Sequence, residues 1–391
     1  MNKIIDLIDA EQRYQNNTIR LIPSENFISE AVKQALSSDL SNKYAEGYPG
    51  KRYYQGNKFI DEIENLAIER GKRLFKVEHM NVQPYSGSPA NAAILMALLE
   101  PRDKICGMKL SAGGHLTHGH PRITFSGKFF ESVQYDVDSE GKIDYEALEE
   151  MVEREKPKLI FCGGTAYPWK IDWQRFSKIA SKVNAYLIAD IAHIAGLIVG
   201  GVHESPVDFV DVISSTTHKT LRGPRGAFIG VTKKGLERDS ELAKKIDRAV
   251  FPGLQGGPHM NTIAAMAVAF EEASRPEFKE YANQIIKNAQ ALKRGLEMVG
   301  SGRDRSVPLK IFGTENHLLV VDCGFEKGKE VAVKLEEMGI IVNANTIPHD
   351  QAGPFKPSGI RVGTPAMTTK GWKEKEFEEV GERIGRMIIN M

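Results

Sequence analysis

Cysteine, net charge and long apolar runs are all scarce in this chain, and each shortage removes a class of function. The three cysteines, Cys106, Cys162 and Cys323, lie far apart without CxxC spacing, which leaves neither a disulfide framework nor a thiolate metal site. A reducing cytoplasm is the expected setting. Lysine and arginine number 52 against 51 acidic residues, so no global field draws the chain to nucleic acid or an anionic membrane. Any phosphate must be met by local geometry. No stretch reaches the ~18 apolar residues of a membrane span, and Asp6 and Asp9 interrupt the apolar start, against a secretory leader. Internal repeats and low-complexity tracts are missing too.

What is present is alternation. At 391 residues the chain is long enough for two or three units of ~100 to 200 residues each. KLIFCGG (158–164), YLIAD (186–190), FVDVIS (209–214) and AFIGV (227–231) have the β-branched, apolar character of strands. Between them, 143–156 and 173–184 carry helical spacing, with Asp144 and Asp172 placed as N-caps. The pattern predicts an α/β unit with a mainly parallel sheet, whose ligands sit at the carboxyl ends of strands. A helical run over 259–275 stops before Pro276; after it NHLLVVD, GKEVAVKLEEMG and IIVNAN predict a smaller α/β unit closed by a terminal helix. The expected division is an N-terminal arm (1–25), a large domain (26–275) and a small C-terminal domain (276–391).

The stretch 214–226, SSTTHKTLRGPRG, sets Lys219 among hydroxyls and glycines just past a predicted strand. Asp190 ends the strand YLIAD, with His193 three residues on. Neighbouring parallel strands bring such ends together. A lysine beside a buried carboxylate can be a simple ion pair, but a third element stands with them. In YSGSPANAAILMALLE (85–100), Ser86, Gly87 and Ser88 precede a helix, with Ser88 as the expected N-cap and Pro89 in the first turn. Helix starts hold phosphate through free N–H groups. A lysine for a Schiff base, a carboxylate for a pyridinium nitrogen and a helix start for a phosphate are the protein groups pyridoxal phosphate requires. Lys219 is the expected imine-forming lysine.

Seven segments, in order, carry a resemblance over the chain from about Arg20 onward: KYAEGYPGKRYY (43–54), NVQPYSGS (81–88), GGHLTHG (113–119), DIAHIAGL (190–197), TTHKTLRGPRG (216–226), AVFPGLQGGP (249–258) and SGIRVGTPA (358–366). Together they resemble the serine hydroxymethyltransferase family. The resemblance implies a pyridoxal phosphate-dependent transferase of fold type I, similar to aspartate aminotransferase. The implied reaction moves the serine hydroxymethyl carbon to tetrahydrofolate or a related pterin, giving glycine and 5,10-methylenetetrahydrofolate.

It also implies roles. Lys219 holds the cofactor covalently as an aldimine, and the preceding His218 influences reaction specificity. Asp190 pairs with the ring nitrogen, His193 lies near the phenolic oxygen and the substrate carboxylate, and His115 stacks on the ring. Thr165 keeps a hydroxyl beside the phenolic oxygen where the family usually has serine. Ser86, Gly87, Ser88 and Arg225 complete the cofactor contacts. Tyr44, Gly256 and Gly257 reach the phosphate from a second subunit, so a homodimer with shared active sites is part of the expectation. Arg361 forks the substrate carboxylate, helped by Ser24. Glu46 does acid and base work near the serine hydroxyl and the folate nitrogens, with Tyr54 beside it. Leu110, Gly114, His115, Leu116, Asn345, Gly353, Pro354 and Phe355 match pterin contacts. The chain departs from the family pattern at Gly353, Ala112, Tyr85, Pro89 and Arg222.

Each motif has a plainer account. His115, His118 and His120 could ligate zinc, but no acidic or cysteine ligand stands near them in sequence, and no metal is expected. GKRYYQGNKF interleaves basic and aromatic residues as single-strand binders do, yet such a run is more often a solvated surface. Arg225 and Arg361 could be structural ion pairs. Two other classes compete: a folate-independent enzyme of the same fold, such as a threonine aldolase or an α-methylserine transferase, and a binding protein without turnover. Glu46 with the pterin loop separates the first from the expected reaction, and the cofactor's absorbance separates the second.

Overall fold

The apolar runs singled out above become the core strands of a seven-stranded sheet. A computed structural model describes residues 3–121, 123–299 and 309–391. In chain order the strands are β1 (Ile19–Arg20), β2 (Gly47–Tyr48), β3 (Lys51–Arg52), β4 (His79–Asn81), β5 (Lys104–Met108), β6 (Glu131–Tyr135), β7 (Leu159–Cys162), β8 (Tyr186–Asp190), β9 (Val212–Thr216), β10 (Ala227–Val231), β11 (Ile311–Phe312), β12 (Leu318–Asp322), β13 (Ile340–Ile341), β14 (Asn343–Asn345) and β15 (Gly359–Gly363). Two compact units form, one of residues 28–283 and the other of 1–27 with 284–391.

In the first unit the sheet order is β4-β10-β9-β8-β7-β5-β6. β9, β8, β7, β5 and β6 run parallel, and β10 is antiparallel to both β9 and β4. β7, β9 and β10 are buried along their whole length, as strands covered on both faces must be. The register sets Asp190 opposite Ser214 and Cys162 opposite Ala189, so β7, β8 and β9 end together. Close approach there needs Gly163: its φ is +128° and a Cβ would lie 2.2 Å from the Asp190 carbonyl oxygen. β9 begins three residues later than its sequence pattern, because Pro206 opens a turn whose carbonyl accepts the N–H groups of Phe209 and Val210. Asp144 and Asp172 do cap helices Tyr145–Glu155 and Trp173–Lys182, accepting from Ala147 and Arg175 N–H.

Helix Met260–Ala273 ends ahead of Pro276, which opens helix Pro276–Val299 at the position where a missing N–H costs nothing. In the second unit β11-β12-β15-β14 form an antiparallel sheet. Leu319, Val321, Ile360 and Val362 share its core with Leu292, Leu296, Phe377 and Ile384. IIVNAN is divided at Val342: β13 pairs with β1, and β14 with β15.

Candidate active site

Past β9 the chain folds back on itself before returning as β10. Thr217 donates its N–H to the Gly226 carbonyl (3.1 Å) and its hydroxyl to the Pro224 carbonyl (2.6 Å), while Gly223 N–H reaches the Thr217 carbonyl (2.7 Å). The hydroxyls and glycines around Lys219 therefore close a tight loop that holds the lysine inside the protein, 8 % exposed. Thr220 joins this loop to the next strand end, donating to the His193 carbonyl (2.9 Å) and accepting from Gly196 N–H (3.0 Å). His193 is buried. Arg222, with φ +61°, lays its guanidinium over the rings of Tyr281 and Phe278.

Asp190 is the best-held group of the site. One carboxylate oxygen accepts from His118 Nε2 (2.9 Å) and Asn91 Nδ2 (2.9 Å), and the other from Ala192 N–H (3.1 Å). Burial alone would push its pKa up, but the hydrogen bond and charge of His118, with Lys219 nearby, hold it well below the ordinary carboxylate range. His118 is fully buried and stacks on Phe161, with ring centroids 4.7 Å apart. Asn91 also donates to Thr117 Oγ1 (2.8 Å) and accepts from Ser214 (2.7 Å). Thr117 in turn bonds His115 Nδ1 (2.7 Å).

Burial, with His118 and Lys219 close by, lowers His115 to about 4, and burial beside Lys219 and Arg225 lowers His218 to about 3. Both imidazoles are neutral near pH 7. The expectation that no acidic group stands near the histidine cluster is overturned: donor atoms of His115, His118 and Asp190 lie within 4.8 Å of one another. The fold supplies across 72 residues an acid that local sequence lacks.

Helix Gly87–Leu98 begins two positions earlier than expected, with Ser86 rather than Ser88 as N-cap. Ser86 is extended (φ −162°, ψ 177°) while its carbonyl already accepts from Ala90 N–H, which commits Gly87 onward to the helix. Gly87 faces Thr216, whose methyl would lie 2.9 Å from an added Cβ. Thr165 and Ala166 N–H both reach the Gly113 carbonyl (2.7 and 3.0 Å), which ties Thr165 to the loop of Gly114 and His115. Leu110 and exposed Leu116 flank that loop.

A second group gathers elsewhere in this unit. Tyr44 and Tyr54 meet edge to face at 5.0 Å. The Glu46 carboxylate, by its charge and by a hydrogen bond from the phenol, pushes the Tyr44 pKa up. Gly256 and Gly257 lie against Glu46 and Tyr44, the nearest atoms being 3.2 and 3.5 Å from added Cβ positions. Tyr85 donates to the Gly257 carbonyl (2.8 Å).

In the other unit, Arg361 sits in β15 with Nε donating to Asn343 Oδ1 (3.1 Å), and burial lowers its pKa to about 10. The segment just before Ser24 rests on the same strand, because Gly363 N–H donates to the Leu21 carbonyl (2.8 Å). Asn345 ends β14; Gly353 has φ +76° and Phe355 is almost fully exposed. Asp350 ties the 347–358 loop together, accepting from Ala352 N–H and from the Ser358 N–H and hydroxyl.

These residues fit pyridoxal phosphate. Asp190 is an ionised, buried carboxylate near a buried lysine, as a pyridinium requires, and the helix start lies against Thr216. Thr216 Oγ1 and His218 Nδ1 are buried without a hydrogen-bond partner among the described residues, as suits polar atoms awaiting a ligand. Such a sheet, with its lysine loop after β9 and its carboxylate at the end of β8, defines a fold type I pyridoxal phosphate enzyme. The family model described as serine hydroxymethyltransferase matches residues 1–384. The chain is 54% identical over 384 residues to a serine hydroxymethyltransferase of Acidothermus cellulolyticus, covering 97% of this chain and 87% of that relative. It is 53% identical over 390 residues to a probable serine hydroxymethyltransferase of Mesomycoplasma hyopneumoniae (98% and 89% covered). For the enzyme of Francisella tularensis subsp. novicida the figures are 49% over 391 residues (99% and 91%). The chain belongs to the serine hydroxymethyltransferase family. Pyridoxal phosphate is its cofactor and tetrahydrofolate its co-substrate, and its reaction interconverts serine and glycine.

Sequence reasoning missed His118 and Asn91. His118 was visible only as a candidate metal ligand, and Asn91 only as a residue inside an apolar helix, where a buried amide implies a polar partner.

Proposed function

We propose that hydroxymethyl transfer takes place at the carboxyl ends of β7, β8 and β9, with Lys219 as the covalent anchor of the cofactor. The observation that carries this reading is the Asp190 carboxylate, buried near Lys219 and held ionised by His118. When bound, the cofactor supplies an electron sink for cleavage of the serine Cα–Cβ bond. Asp190 holds the ring-nitrogen proton. His115, neutral, offers a ring face for stacking, and neutral His218 lines the lysine loop. Ser86, Gly87 and Ser88 give the phosphate a helix start, with Arg225 adding positive charge. Thr165 and His193 orient the phenolic oxygen.

Arg361 binds the substrate carboxylate as a planar fork, with Ser24 and His193 assisting. Glu46 accepts the proton from the serine hydroxyl and returns it to that oxygen, which leaves as water when the carbon bridges the two pterin nitrogens and their N–H protons are lost, with Tyr54 beside it. Leu110, Gly114, His115, Leu116, Asn345, Gly353, Pro354 and Phe355 contact the pterin.

The working form is a homodimer in the cytoplasm. Tyr44, Gly256 and Gly257, grouped with Glu46, serve the partner's site. Support comes from apolar side chains left at the surface: Tyr44, Tyr53, Tyr54 and Phe59 in the first unit, and helix Lys3–Asn17, which buries no side chain while Ile4, Ile5, Leu7 and Ile8 are about half exposed. Purified protein incubated with serine should form glycine only when tetrahydrofolate is added. Equal glycine formation without it would favour a folate-independent enzyme.

A further inference from the structure

The Glu46 carboxylate stands just ahead of a hairpin whose two strands have two residues each, too short for ladder bonds alone to hold a catalytic group. Gly47 lets the two strands approach: its φ is +95° and a Cβ would meet the Lys51 carbonyl oxygen at 2.4 Å. Arg52 supplies what the ladder lacks. Its side chain, 4 % exposed, donates from Nη1 to the carbonyls of Ala45 and Gly47, both at 2.9 Å. Nε reaches Asp61 (2.8 Å) and Nη2 reaches Glu64 (2.5 Å). Gln83 donates to the Gly47 carbonyl (3.0 Å) and to the other Glu64 oxygen (2.7 Å). Asp61 also accepts from Gly50 N–H (2.8 Å), and Tyr53 N–H donates to the carbonyl of Glu46 itself (3.0 Å). Three successive carbonyls, at positions 45, 46 and 47, are thereby held, two of them by one guanidinium.

We propose that Arg52, braced by Glu64, Asp61 and Gln83, is a positioning residue that fixes Glu46 for the folate-dependent proton transfer. The proposal rests on the reading of Glu46 as the acid and base. A lysine cannot substitute, because a single ammonium does not span four acceptors spread around a planar fork. Nor does the basic, aromatic run GKRYYQGNKF present this arginine to solvent or nucleic acid; its charge is consumed beneath the turn.

The test compares Arg52→Lys, Gln83→Met, Glu46→Gln and the double variant Glu46→Gln/Arg52→Lys. Arg52→Lys should lower kcat for folate-dependent transfer up to about 100-fold, the scale of a small misplacement of a catalytic group. The cofactor absorbance and serine affinity, which report on the Lys219 site, should stay as they are. Gln83→Met, which removes one of the two bonds to Gly47, should act in the same direction but less, and serves if Arg52→Lys folds poorly. The double variant should match Glu46→Gln within about twofold, since a brace has no effect once its carboxylate is gone. Unchanged kcat in Arg52→Lys and Gln83→Met, with Glu46→Gln impaired, overturns the brace and leaves Glu46 in its role. Full activity in Glu46→Gln overturns the Glu46 reading and the brace with it. Loss of cofactor and serine affinity in step with kcat also overturns it, making Arg52 a general determinant of the fold.

Discussion

The sheet-borne group around Lys219 and the hairpin-borne group around Glu46 are held by different means. Asp190, His193 and the Lys219 loop follow directly from parallel strands whose ends the register aligns, and His118 and Asn91 lock the carboxylate with short hydrogen bonds. The Glu46 group sits on two-residue strands and keeps its place through side chains, chiefly Arg52 and Gln83. Its Tyr44 and Tyr54 stay about half exposed. The chain thus places one group on the ends of a continuous sheet and the other on a turn braced by side chains.

Removing Lys219 should have the largest effect. Lys219→Ala should lower turnover by about 10⁴-fold or more, as expected for a covalent nucleophile, and eliminate the absorbance of the covalently bound cofactor; retention of both would detach this lysine from the chemistry. Next is Glu46→Gln, expected to lower folate-dependent transfer by about 10² to 10⁴-fold, the range of general acid–base catalysis, while the cofactor spectrum is kept. A parallel loss of cofactor would erase the distinction between the two groups.

His118→Phe should weaken cofactor binding by roughly 10- to 100-fold, since a hydrogen bond to a charged group is worth about 1.5 to 3 kcal/mol. It should leave the Glu46 hairpin untouched; a titration of the apoprotein with pyridoxal phosphate measures it, and unaltered affinity would show that Asp190 does not need its imidazole. The smallest effect concerns pH. Burial holds His115 at about 4 and His218 at about 3, so the unfolded chain takes up protons that the folded one refuses as pH falls below about 6.5. Stability should drop between there and the folded values by at most about 1.4 kcal/mol per pH unit for each histidine. Denaturant unfolding between pH 7 and 4 checks this, and His218→Asn should flatten the slope.

Much of the sheet-borne group was legible because its cues are local. YLIAD is β8 from end to end and AFIGV is β10, so Asp190 at a strand terminus could be read directly. The helix start was legible too, though the competing serines 86 and 88 differ only in backbone conformation, which composition does not encode. His118 and Asn91 were not legible as partners of Asp190, because 72 and 99 residues separate them from it. Arg52 was misread as part of a solvated run. A cue existed: in helix Lys58–Phe75 the buried positions are Ile60, Glu64, Ala67, Gly71 and Phe75, and a glutamate in an apolar stripe calls for a buried cation.

The division of labour between sheet and hairpin is tested most directly by mixing two inactive variants. Lys219→Ala and Glu46→Gln chains, each inactive alone, should regain glycine formation from serine and tetrahydrofolate when unfolded and refolded together, because one site of each mixed dimer then receives an intact lysine from one chain and an intact glutamate from the other. Mixtures that stay as inactive as either parent, although mixed dimers are shown to form, would contradict it.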